Sequence, residues 1–174
     1  MNYEHDFVIY LESLRDNRGA LAALRRGLGQ PPGTVPDMFR YVVPKIKAKS
    51  GTWTEKSHYL IASLFALHPV STSSGNIGNH FARHLDYQNP ENNTALERRF
   101  TTLLTASPDD FHIYLRQTIS FLKSKEDTPV NWHRLMWDVL ALGNPEKSSK
   151  VQKRWAEGFW RAPQKDEPPA KLEN

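Results

Sequence analysis

The residues of this chain whose types and spacing suit a chemical task are its arginines and lysines. The segment RGALAALRRGLG, residues 18–29, sets Arg18, Arg25 and Arg26 around a leucine stripe. At about 100° per helical residue, Leu21, Leu24 and Leu28 cluster, Arg26 points away, and Arg18 and Arg25 flank the stripe. A planar guanidinium donates two parallel hydrogen bonds to phosphate, so the outer face of such a helix is suited to a polyanion. Lys45, Lys47 and Lys49 follow Arg40 with no acid after Asp37, and their alternation beside Pro44 predicts an exposed, extended or loosely helical segment. Between Arg15 and Lys56, nine basic residues face three acids, a local excess of six positive charges. Further along, Arg98 and Arg99 lie opposite an apolar stripe, Arg116 and Lys123 are seven apart on one face, and Lys150 and Arg154 flank Trp155 with Lys147. Several outward basic sets on one scaffold can join into a surface that follows a phosphate backbone.

Other reactive groups form no comparable pattern. His80 and His84 in HFARH share a helix face but lack the internal glutamate of a metalloprotease motif and a third ligand, so they read as ordinary helix histidines. Asp109 and Asp110 follow Ser107-Pro108 and read as acids at a helix start, not as metal ligands. Gly27, Gly29 and Gly33 match no phosphate loop and read as helix stops. No nucleophile is placed beside a base, so neither a catalytic set nor a metal or cofactor site is expected. The tryptophans belong mainly to core stripes, with Trp53 and Trp160, at helix edges, as the two that suit a base or a partner.

The elements that carry these residues read as helical nearly throughout. Phe7, Tyr10, Leu11 and Leu14 make one stripe, and Asn17 caps the arginine helix. Pro36 opens a short helix closed by Pro44, and Thr52 with Glu55 forms a capping box for the helix of Tyr59, Leu60, Ser63, Leu64 and Leu67. After the loop from Ser71 to Gly75 come Ile77, Phe81 and Leu85, then a polar break from Asn89 to Asn93. The second half continues with stripes of Leu96/Phe100/Leu103, Phe111/Leu115/Thr118/Leu122, Trp132/Leu135/Met136/Val139 ending at Gly143, and Val151/Trp155/Phe159. No alternating run argues for a sheet. The expected fold is all-α, a compact bundle of roughly eight helices over residues 1–161 in two packed halves, about 1–90 and 91–161, with residues 162–174 as a charged, proline-rich, disordered tail.

The chain has 174 residues, a net charge of +4 and no cysteine, which removes disulfides, thiolate metal sites and cysteine nucleophiles together. MNYEHDFVIYLESL has acids before its apolar positions and no basic start, so it does not read as a signal peptide, and no run reaches the ~18 apolar residues of a membrane span. A cytoplasmic setting and no membrane partner are expected.

RGALAALRRGLG, ERRF followed by LL, HRLMWDVLAL and the terminal VQKRWAEGFW resemble the CasB family, the small subunit of the type I-E CRISPR Cascade complex. The resemblance runs from about the first helix to Trp160. It implies an all-helical, non-enzymatic subunit present as two copies beside the other Cascade subunits and their guide RNA. Such a subunit helps to hold unwound target DNA and the displaced strand, while cutting belongs to a separate helicase–nuclease. Arg25 and Arg26 match the family's arginine motif; Arg98, Arg99, Arg116, Lys150 and Arg154 follow from an approximate alignment of basic positions, and Lys45, Lys47 and Lys49 from charge alone. Two other readings stay open: a stand-alone helical DNA-binding regulator, and a helical scaffold that binds only protein.

Overall fold

The computed structural model describes residues 3–161; the tail expected at 162–174 lies outside them. Among the described residues the chain forms nine α-helices. They are α1 (Asp6–Ser13), α2 (Arg18–Arg25), α3 (Phe39–Val42), α4 (Trp53–Leu67), α5 (Ile77–Ala82), α6 (Thr94–Leu104), α7 (Phe111–Ser124), α8 (Trp132–Leu142) and α9 (Pro145–Trp160). The only extended pairing among them is one parallel bridge, Ser71 to Val130, with the Val130 N–H donating to Val70 O at 3.0 Å and the Thr72 N–H to Val130 O at 3.1 Å. The all-α expectation holds, and the short helix expected between Pro36 and Pro44 has α3, a single turn, at its centre.

The caps read from sequence, Asn17 and Thr52, fix the starts of α2 and α4, and Asn131 does the same for α8. Asn17 Oδ1 accepts from Ala20 N at 3.0 Å, and Asn131 Oδ1 from Arg134 N at 3.0 Å. Thr52 Oγ1 accepts from Glu55 N at 3.3 Å, but Glu55 returns its carboxylate to Gly51 N at 2.7 Å, one residue before the expected partner. The α7 start differs too. Ser107 and Asp110 bond each other and close a turn, and the helix proper begins at Phe111. The helix of α1 is capped by an unexpected group, the His5 ring, which accepts from Phe7 N at 3.1 Å.

The core is organised by α4. An amphipathic stripe was the sequence expectation, yet Ser57 to Ala66 is buried on every side. The reason is position: α1, α2, α3, α7 and α8 all pack against it. Its polar members are tolerated because each bonds within the helix, Ser57 Oγ to Trp53 O, His58 Nδ1 to Thr54 O and Ser63 Oγ to Leu60 O. On the other side α5 packs intimately on α9. Gly78 makes this possible, since a Cβ there would overlap the Trp155 carbonyl of α9. The apolar core runs without interruption from Phe7 to Phe159 and draws on both halves of the chain. The break at 89–93 is a short turn, where the Asn93 side chain accepts from Asp86 N at 2.7 Å and donates to Asp86 O at 3.0 Å.

Candidate nucleic-acid interface

Helix α2 buries Ala20, Leu21 and Leu24 and leaves Arg18 and Arg25 exposed, as the leucine spacing requires. The helix ends at Arg25, whose Nε donates to Leu21 O at 3.2 Å, so Arg26 and Leu28 lie in the turn beyond it. Arg26 points outward but reaches Asp37 Oδ2 at 2.8 Å, an ion pair between exposed groups. The 3-10 turn holding Asp37 leads into α3, where Arg40 lies over the Tyr41 ring, and on to Lys45, whose Nζ sits 4.6 Å from the Tyr10 ring centre. Lys47 and Lys49 are exposed on the irregular stretch that follows.

Helix α7 ties the second half to this surface. The Arg116 guanidinium lies against Gly29, in the space a Cβ would occupy; that flexible end could move aside, and it is the φ of +76° that favours glycine there. Arg116 thus stands at the end of the arginine motif, which sequence separation alone would not suggest. On its other flank α7 forms an open groove of about 240 Å³ with α6. Arg98, Arg99 and Thr102 line one wall, Tyr114, Gln117 and Thr118 the other, and buried Phe81 lies beneath. The Arg99 guanidinium rests over the Phe121 ring at 5.6 Å. Sequence reasoning found the two arginines but not Tyr114 or Gln117. Their i, i+3 spacing on α7 would have marked them only if the packing of α6 against α7 were known.

Other predicted residues have internal work. Lys123 Nζ donates to Leu67 O at 2.8 Å and so closes the C-terminal end of α4. Arg154 donates to Asp138 Oδ1 at 3.0 Å, and Lys150 is exposed on α9, which packs chiefly on α5 and α8. Asp138 is the polar centre that sequence reasoning missed. It is 2% exposed and accepts from Arg134 Nε at 3.1 Å, Arg154 and the Trp155 indole at 2.7 Å. An acid inside the apolar run Leu135, Met136, Val139 was the available signal. Of the two edge tryptophans, Trp53 is turned inward, its indole donating to Val139 O at 2.7 Å and its ring filling the space beside Gly143. Trp160 remains 48% exposed against Phe100.

The histidines are structural in placement. His80 Nε2 accepts from Asn131 N at 3.1 Å, while His84 Nε2 meets Thr128 Oγ1 at 2.8 Å, and His68 Nε2 meets Thr128 O at 2.8 Å. All three therefore hold the 128–131 segment, and the HFARH pair is not aimed at a common point. Among the described residues no group of three or more His, Asp or Glu is disposed to hold a metal ion. No helix there is long and apolar enough to cross a membrane.

Comparison with known proteins agrees with this architecture. Residues 20–160 match the family model for the CRISPR-associated protein Cse2. A CRISPR-associated protein Cse2 of Thermus thermophilus is 32% identical over 162 residues, covering 90% of this chain and 89% of its own. The crystal structure of CasB from Thermus thermophilus superposes with a TM-score of 0.75 at 28% identity, covering 90% of this chain and 96% of that one. A chain of a CRISPR RNA-guided surveillance complex shares the fold, with a TM-score of 0.70 at 24% identity and 88% of each chain covered. With most of its length matched in sequence and in fold, this chain belongs to the CRISPR-associated Cse2, or CasB, family.

Proposed function

We propose that this protein is the non-catalytic, nucleic-acid-binding small subunit of a type I-E CRISPR surveillance complex. It stabilises unwound target DNA and the displaced strand through phosphate contacts that carry no base information. One observation supports this reading above others. Arg18, Arg25, Lys45, Lys47, Lys49, Arg98, Arg99, Arg116 and Lys150 are exposed, and among the described residues none is in an ion pair with a carboxylate. Cations left without a carboxylate partner on several elements suit an external polyanion. Opening a duplex against a guide is a nearly balanced exchange, so modest backbone contact is enough to tip it. The other subunits, the guide RNA and a second copy of this chain are the partners this role requires.

The test uses the free full-length chain with short single- and double-stranded DNA over a salt series. Weak binding without sequence preference is expected, falling steeply with salt, with each phosphate contact worth about 0.7–0.9 of log–log slope. Arg25→Ala with Arg26→Ala should lower affinity for all sequences alike and lower that slope. Selectivity for one duplex would favour a stand-alone regulator; no binding at low salt would favour a protein-only scaffold. With divalent metal supplied, DNA and RNA should both stay intact.

A further inference from the structure

The groove between α6 and α7 has a chemistry that plain phosphate contact does not need. A site for phosphate alone is served by cations on open surface, as α2 provides. Here the groove is built over aromatic rings, and the Arg99 guanidinium lies over the Phe121 ring. Phe81 is fully buried beneath the groove and packs 5.8 Å from Phe100 and 5.2 Å from Phe121, while the half-buried Tyr114 forms a wall. The polar groups are equally telling. Thr102 and Thr118 donate their hydroxyl hydrogens to Arg98 O and Tyr114 O, at 2.8 and 2.9 Å, which leaves oxygen lone pairs as acceptors. Gln117 is exposed and its side chain bonds no group among the described residues, so its carboxamide offers both a donor and an acceptor. Among the described residues no acidic side chain lines the groove.

We infer that the α6–α7 groove receives one unstacked base of single-stranded nucleic acid, with an adjoining phosphate held by Arg98 or Arg99. A flat ring meets the aromatic wall, its edge meets Gln117 and the threonine oxygens, and its backbone charge meets the guanidiniums. The size agrees: about 240 Å³ equals the liquid volume of about eight waters, enough for one heterocycle. A base within a duplex is stacked and paired and cannot enter, so the groove favours a displaced or unpaired strand. Recognition is by ring face, which every base has, and is therefore tolerant of sequence. This inference rests on the nucleic-acid reading above and adds to it a base-dependent component.

The experiment measures anisotropy-based affinity of the full chain at low salt for a thymidine strand, an abasic strand of equal length and a duplex. The base-bearing strand should bind about five-fold or more tightly than the abasic strand, the weak end of base–aromatic stacking. Gln117→Ala and Tyr114→Leu should each reduce that preference while leaving abasic affinity and salt slope unchanged, and Tyr114→Phe should retain it. Equal binding of the two strands by the wild type, or a preference that survives both Gln117→Ala and Tyr114→Leu, overturns the inference. Binding without base preference defeats the groove alone, whereas no binding to any strand defeats the nucleic-acid reading as well. Gln117 lies on the surface, so its variant answers the question even if Tyr114→Leu loosens the fold.

Discussion

His80 makes stability depend on pH in a way that the structure quantifies. Its ring is 1% exposed, and Nε2 accepts from the Asn131 N–H, so the neutral ring carries its proton on Nδ1. Protonating Nε2 would set a donor against a donor in a buried site and remove the bond that holds the start of α8. Burial, with Arg83 nearby as the smaller cause, lowers its pKa from 6.5 to about 4. The unfolded chain therefore binds a proton that the folded chain refuses between those two values. The stabilisation is complete above about pH 6.5, declines as pH falls, and is gone below about pH 4. A shift of that size corresponds to about 3 kcal/mol, a large share of the ~5–15 kcal/mol that holds a domain together. Urea unfolding followed by tryptophan fluorescence from pH 7.5 to 4.5, for the wild type and His80→Gln, isolates the effect. A glutamine oxygen can still accept from Asn131, and it does not titrate. The wild type should lose stability more steeply than the variant, by up to about 1.4 kcal/mol per pH unit. His5, His58 and His84, which burial also holds below the ordinary histidine range, contribute equally to both curves. Parallel curves, or a His80 proton resonance titrating near 6.5, would refute the reasoning.

The remaining predictions concern stability by thermal and denaturant unfolding. Leu24→Ala should cost ~2–5 kcal/mol through a core cavity, whereas the Arg25→Ala, Arg26→Ala pair should stay close to the wild type, since its one ion pair joins exposed groups. Asp138→Ala should cost about 3 kcal/mol, because the buried Trp155 indole loses its acceptor; Arg134 and Arg154, partly exposed, can turn to water and so hold the loss near the lower end. Gly78→Ala should destabilise by about 1–3 kcal/mol despite alanine's better helix propensity, because the added methyl meets the α9 backbone. A neutral or stabilising Gly78→Ala would show that α5 and α9 separate readily.

What the sequence alone determined was local. Caps such as Asn17 and Asn131 act within three residues, and stripes such as Leu21/Leu24 repeat within one turn, so helix positions and buried faces follow from neighbours along the chain. The all-α class, the exposure of Arg18 and Arg25 and the family resemblance were legible on that basis. Glu55 shows the limit of even local rules, since the carboxylate found Gly51 instead of the cap residue.

Tertiary structure decided which groups meet across the chain. Lys123 and Arg154 have the same outward helical phase as Arg116, yet one closes α4 across 56 residues and the other neutralises Asp138, while Arg116 reaches the Gly29 turn. The HFARH histidines share a helix and diverge because the 128–131 segment passes both rings at different atoms. The burial of α4 on all sides and the α6–α7 groove exist only once several helices have packed. Helical periodicity fixes the angle at which a side chain leaves its own axis; which neighbour it then meets depends on the crossing of helices far apart in sequence, and no local signal encodes that crossing.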